Sequence, residues 1–204
     1  MAVKLNLGCG TSKKQGWVNI DSAKECLPDI LHDLSVPLPF DDQSVDEINV
    51  DAVLEHFDKY ARYFILYDWA RVLKVGGTIS IGVPNFQKIL FRYFKWKFDD
   101  LVDTIFGETM WGSKYYISHF GSHKWGYSDK SLKQFLEIFG ISEITIEKQS
   151  LILFAKGKKC KHIPYRELQD TQIYSCNNAG GDGKPYLSLE EIRTIANFQV
   201  RQGS

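Results

Sequence analysis

Neither sign of charge is in excess: 25 Lys and Arg stand against 25 Asp and Glu. A broad phosphate-binding face or a membrane-adsorbing surface draws on a positive surplus, so composition supports neither. Long hydrophobic runs are also missing. Crossing a bilayer takes about 20 apolar residues, and the opening stretch from Val3 to Leu7 is short and interrupted by Lys4 and Asn6, too little for a signal peptide or a span. A cytoplasmic protein without a membrane partner is the expectation. Cysteine is sparse and scattered, at Cys9, Cys26, Cys160 and Cys176, which excludes a dense disulfide framework and leaves reduced thiols. There is no internal repeat, and compositional bias is confined to the glycines at 180, 181 and 183.

What is present is one well-populated α/β pattern. A chain of 204 residues suits a single main domain. Runs rich in Val, Ile and Leu alternate with helical patterns, which points to an open, mostly parallel sheet covered on both faces. Strands are expected near 3–7, 17–21, 29–32, 45–50, 78–83, 141–147 and 151–156, the last two forming an antiparallel pair across a short turn. Between Asp58 and Lys74, apolar residues at Tyr60, Phe64, Tyr67, Ala70 and Leu73 recur at helical spacing, and Gly76 and Gly77 supply a stop. Ser128 is placed to cap a helix that Gly140 ends, with Leu132, Phe135, Leu136 and Phe139 as its apolar stripe. Two stretches break the alternation. Residues 86–127 are dense in aromatic and basic side chains and read as an insertion, part of it a lid over a site. Residues 158–204 form an appendage with a glycine joint and a second helix opened by a capping box of Ser188 and Glu191.

The chemistry begins where the first strand ends, at Leu5-Asn6-Leu7-Gly8-Cys9-Gly10. Glycines there tolerate positive φ and let a ligand approach the backbone closely. A dinucleotide fold needs a third glycine at the position of Lys13, where it lets the helix pack and receives a pyrophosphate. Asp21 and Asp33 follow at the ends of the next two strands, one suited to accept from both hydroxyls of a ribose and the other from an exocyclic adenine amine. The set describes an adenosine without phosphates.

These residues resemble the class I S-adenosylmethionine-dependent methyltransferases, in the small methyltransferase-domain group (type 11-like). The resemblance covers residues 3–157 and rests on LNLGCG (5–10), GWVNID (16–21), HDL (32–34), PLPFDDQSVDEINVDAVLEH (37–56) and RVLKVGGTISIGVPN (71–85). It implies a Rossmann-like, seven-stranded, mostly parallel sheet with helices on both faces and an antiparallel last strand. Residues 1–157 then make the methyltransferase domain, 86–127 its lid and acceptor insertion, and 158–204 a C-terminal extension through which the chain can oligomerise. The cofactor it implies is S-adenosylmethionine, with S-adenosylhomocysteine as product. By the same resemblance Leu7, Gly8, Cys9 and Gly10 pass under the methionine end, Asp21 holds the ribose, Asp33 and Leu34 flank the adenine, and Val50 and Asp51 line the sulfonium side. One departure stands out: ten residues separate Gly10 from Asp21, room for a turn in place of a full helix.

A sulfonium methyl is already activated, so transfer needs an aligned nucleophile and, for a hydroxyl acceptor, a group that takes its proton. His56, next to Glu55 after the fourth strand, and His123, ahead of the helix at Ser128, are the candidate catalytic residues. Cys9 has no base beside it and reads as a small core side chain. No metal is expected. Leu54 stands where metal-dependent catechol-type relatives carry a lysine, Cys160, His162 and Cys176 lack a paired spacing, and the stretch from Asn178 to Glu190 lacks the bidentate ligand of a calcium loop. Asn49-Val50-Asp51-Ala52 lacks the Pro-Pro-aromatic grip of enzymes that methylate flipped DNA bases, so DNA is not the expected partner. The expected function is methyl transfer to a small-molecule acceptor such as a sugar or metabolite hydroxyl. Two alternatives stay open at this point: a non-catalytic methyltransferase-like binding or scaffolding protein, and an RNA or protein methyltransferase using Arg92, Lys95 and Lys97.

Overall fold

Seven strands form one sheet in the order β3-β2-β1-β4-β5-β7-β6 in a computed structural model, which describes residues 2–93, 98–106 and 122–163. The strands are β1 (Lys4–Leu7), β2 (Val18–Asp21), β3 (Ile30–Leu31), β4 (Val45–Asp51), β5 (Leu73–Pro84), β6 (Ile141–Gln149) and β7 (Ile152–Lys159). β1 to β5 run parallel, and β7 is antiparallel to both β5 and β6. The helices are α1 (Ala61–Val72), α2 (Phe86–Tyr93), α3 (Phe98–Phe106) and α4 (Asp129–Ile138), with short 3-10 turns at Lys24–Cys26 and Leu54–His56. A parallel sheet is buried on both faces, which explains why Leu5, Leu7, Ile20, Ile48, Val50, Ile79, Ile81 and Val83 all sit in the core.

The start of α1 is fixed by Asp58, whose Oδ1 accepts the N–H groups of Tyr60 and Ala61 at 2.8 and 2.9 Å. Its buried face is Ile65, Leu66, Trp69, Ala70 and Val72. Of the expected stripe, Ala70 and Leu73 are buried, while Tyr60, Phe64 and Tyr67 are only half-buried, because the helix is rotated so that the larger indole of Trp69 faces the sheet. Gly76 and Gly77 do not end a helix in solvent. They lie inside β5, which begins at Leu73, where the register against β4 shifts and Gly76 takes φ +86°. Lys159 Nζ caps the carboxyl end of α1 from the last strand, donating to the carbonyls of Ala70 and Leu73 at 2.6 Å each. The sheet therefore runs two residues past 157, and Ile163 still packs on the core. The glycine joint and the helix expected beyond Ser188 lie outside the described residues. α4 opens as expected at Ser128, in a capping box closed by Ser131: Ser128 Oγ accepts from Ser131 N and Ser131 Oγ from Ser128 N.

The short connection between β1 and β2 contains no helix. In place of one, three asparagines, partners in register on β1, β2 and β4, form a ladder: Asn49 Nδ2 donates to Asn6 Oδ1 and Asn6 Nδ2 to Asn19 Oδ1, both at 3.0 Å. Asn19 then holds the connection directly, accepting from Lys14 N and donating to the carbonyls of Lys14 and Trp17. Side-chain amides here do the work of a covering helix, satisfying backbone groups that would otherwise be buried without partners.

Candidate active site

Parallel register brings the carboxyl ends of β1 to β4 to one edge of the sheet, as Leu7 pairs with Ile20 and Val50, and Asp21 with Leu31. In an open α/β sheet this edge is where ligands bind. Gly8 and Gly10 both take positive φ there, +63° and +48°. A Cβ on Gly8 would collide with Val53 Cγ2, so the room the glycine leaves is filled by a side chain of the β4–α1 connection. Leu7, Cys9, Leu34 and Val50 are buried beneath the edge. Burial, first, and the Asp21 charge push the Cys9 thiol up to about 11, which suits the core role expected of it.

Asp21 is held in place by backbone donors on each side. Its Oδ2 accepts from Gly10 N at 2.7 Å and its Oδ1 from Ala23 N at 2.8 Å. Each carboxylate oxygen keeps a further lone pair, so the two can still receive a vicinal diol. Asp33 is exposed just beyond β3, where its Oδ1 accepts from Ser35 N. Asp51 ends β4 with its side chain laid across Gly82, its register partner on β5. The glycine-rich turn, the anchored Asp21, the exposed Asp33 and the buried Leu34 and Val50 thus share the edge and fit an adenosyl group with no phosphate to bind.

A second group assembles where β4 gives way to α1. Glu55, in the 3-10 turn, is fully buried, and neither carboxylate oxygen has a hydrogen-bond partner. Burial pushes its carboxyl up to about 8. Its backbone carbonyl accepts from Lys124 N and Trp125 N at 2.8 and 3.0 Å, which ties the far end of the insertion to this turn. His56 and His123 are thereby brought together, ring centroids 5.3 Å apart. Burial holds the His56 imidazole below its ordinary range, and its Nδ1 lies 3.3 Å from the Ser122 carbonyl. Phe86, the first residue of α2, packs over Gly126 with its ring 6.0 Å from His123, so both ends of the insertion meet here. Trp111, Tyr115, Tyr116 and His119 lie outside the described residues. Around the corner, Arg62 is buried among Trp125, Phe135, Tyr63 and Tyr127, its guanidinium 4.2 Å from the Trp125 ring centroid.

Both histidines therefore fall in one place beside the crevice edge. Glu55 was visible in the sequence only as the neighbour of His56; its burial without a partner depends on the segment 122–127 closing over it. An acidic residue next to a histidine at a strand's carboxyl end was the available signal.

No protein-family model and no curated protein sequence matches the chain. Solved structures do match. A SAM-dependent methyltransferase from Thermotoga maritima aligns at TM-score 0.56 with 14% identity, covering 78% of this chain and 83% of its own. One from Archaeoglobus fulgidus aligns at 0.53 with 15% identity over 78% and 86%. Another from Mesorhizobium loti gives 0.54 and 15% over 76% and 90%. The chain has the class I methyltransferase fold. Its sheet carries the expected antiparallel β7, and among the described residues no helix is long and apolar enough to cross a membrane. Identities this low speak for the methyltransferase fold and leave the acceptor to the site.

Proposed function

We propose that this protein binds S-adenosylmethionine at the carboxyl edge of β1 to β4 and transfers its methyl group to a hydroxyl of a small molecule, such as a sugar. The observation that carries the cofactor reading is Asp21, fixed by Gly10 N and Ala23 N with acceptor capacity to spare. Asp21 would take the ribose, Asp33 the adenine amine, and Gly8 to Gly10 the methionine end. The bound cofactor supplies an electrophilic methyl group. The chain's own part is to exclude water with Leu34 and Val50, align the acceptor, and ease the loss of its proton near the methyl donor.

The hydroxyl reading rests on the corner formed by Glu55, His56 and His123, which adjoins the edge through Val53 and Gly8. A hydroxyl, unlike an amine or a thiolate, needs its proton managed, and here two imidazoles and a carboxyl converge next to the crevice. The two described ends of the 86–127 insertion, at Phe86 and at His123, meet beside this corner, which is where the acceptor is expected to bind.

Two measurements test this. Calorimetry with S-adenosylmethionine and S-adenosylhomocysteine should show one site per chain, and a guanosine analogue of the cofactor should fail to compete. A panel of sugar and phenolic acceptors with methyl-labelled cofactor should then yield a methyl ether, with turnover falling at least tenfold in His123→Ala. Absence of cofactor binding would overturn the whole reading, while transfer confined to amines would overturn the hydroxyl part.

A further inference from the structure

Glu55, His56 and His123 each offer one ligand atom, and these atoms all lie within 4.8 Å of one another. Two atoms bound to one ion at about 2.1 Å are at most about 4.2 Å apart, so small side-chain rotations close the set around a metal. A second observation points the same way. Glu55 is fully buried, yet both its oxygens lack a hydrogen-bond partner, although buried polar atoms are almost always satisfied. A cation seated among the three groups would supply the missing partner to both. The Ser122 carbonyl beside His56 Nδ1 is the kind of outer contact that orients a ligand imidazole.

We propose that Glu55, His56 and His123 hold one divalent transition-metal ion. Two imidazole nitrogens with one carboxylate oxygen select zinc, iron, cobalt or manganese over magnesium or calcium, which prefer all-oxygen sites. Three protein ligands leave coordination positions open for an outside molecule. Where the site adjoins the methyl-donor crevice, which rests on the function proposed above, the open position takes the acceptor's oxygen. The ion then lowers the hydroxyl's affinity for its proton and aims the oxygen, so the histidines act as ligands and the proton passes to solvent. The corner differs from the catechol-type arrangement, since Leu54 is a buried apolar side chain and takes no part.

The test uses the full chain, stripped with a chelator and titrated with zinc and separately with cobalt, whose visible ligand-field bands report nitrogen and oxygen ligation. Binding of one ion per chain is expected, with affinity falling at least tenfold in both Glu55→Gln and His123→Ala while circular dichroism and cofactor affinity stay at the wild-type value. If Glu55→Gln fails to fold, His123→Ala decides, because His123 lies on a connecting segment and is only half-buried. Failure of the wild type to bind either ion at micromolar concentration overturns the proposal, and so does unchanged affinity in His123→Ala. Metal binding is measured without cofactor, so a site that binds zinc in a protein that ignores S-adenosylmethionine sinks the proposed function and leaves this inference standing.

Discussion

At the Asp21 end of the crevice edge, each carboxylate oxygen already accepts a backbone N–H, whereas at Glu55 two carboxylate oxygens are buried with nothing to accept from. Asp21 ends one parallel strand and Glu55 follows another, yet their surroundings suit different ligands. A satisfied, accessible carboxylate is rigid before its ligand arrives and gains only the added hydrogen bonds. An unsatisfied, buried one is costly until something positive or hydrogen-bearing joins it, so stability is held back for function. The difference separates the carboxylate proposed to cradle a nucleoside from the one proposed to take a metal ion.

The largest effect is expected from undermining the cradle's support. Asn19→Ala removes the side chain that holds the 11–17 connection and leaves Lys14 N, Asn6 and Asp29 short of partners. Losing several buried hydrogen bonds of this kind costs about 4 kcal/mol, so urea denaturation should show a much lower midpoint. A loss below about 1 kcal/mol would mean the asparagine ladder is not what replaces the helix.

Asp21→Ala leaves the support intact and deletes the cradle's acceptor. Two hydrogen bonds to a charged group are worth about 3 kcal/mol together, hence a cofactor Kd raised about a hundredfold by calorimetry. Equal affinity would remove Asp21 from the site and place the ribose elsewhere.

The opposite sign is expected at the other end. In chelator-treated protein, Glu55→Leu exchanges an unpartnered buried carboxyl for an apolar side chain of similar bulk and should stabilise the fold by about 1 kcal/mol. For a protein of this size that raises Tm by about 2–4 °C. A lower Tm would show that the carboxyl is satisfied in the native state and would erase the contrast between the two ends.

The smallest effect concerns Cys9 under the glycine turn. With its thiol pushed up to about 11, about one molecule in a thousand is thiolate at pH 8, so native protein should leave Cys9 unmodified by iodoacetamide while exposed Cys160 reacts. Mass mapping after brief alkylation checks this. Rapid labelling of Cys9 would mean that the turn opens readily.

How much could be read from the sequence follows the same division. The placing of Asp21 and Asp33 by the crevice edge was legible because the parts are local: one glycine turn after β1 and an acid at or just past each of the next two strands, whose positions follow from apolar runs. Even the missing helix could be read, from the length between Gly10 and Asp21. The corner was half legible. Glu55 and His56 stand together after β4, but their meeting with His123 depends on Lys124 and Trp125 pairing with the Glu55 carbonyl, a contact that no spacing announces. The face of α1 was misassigned for a related reason. Aromatic residues fall on several faces along it, and the helix turned Trp69 inward where Tyr60, Phe64 and Tyr67 had equal claim by periodicity. Gly76 and Gly77 misled because a glycine pair marks a strand irregularity as readily as a helix stop.

The antiparallel course of β7 has a practical corollary. Ile152 lies beside Pro84 at the crevice edge and Lys158 beside Thr78 at the other, so the strand carries the chain away from the ligand before Lys159 locks it to α1. Seven steps of about 3.3 Å place its end roughly 23 Å from where it began. Whatever follows Ile163 starts from the back of the molecule. A reporter or surface linker attached directly after Ile163 would therefore start from behind, on the side away from the face where the adenosyl group and the acceptor are proposed to meet.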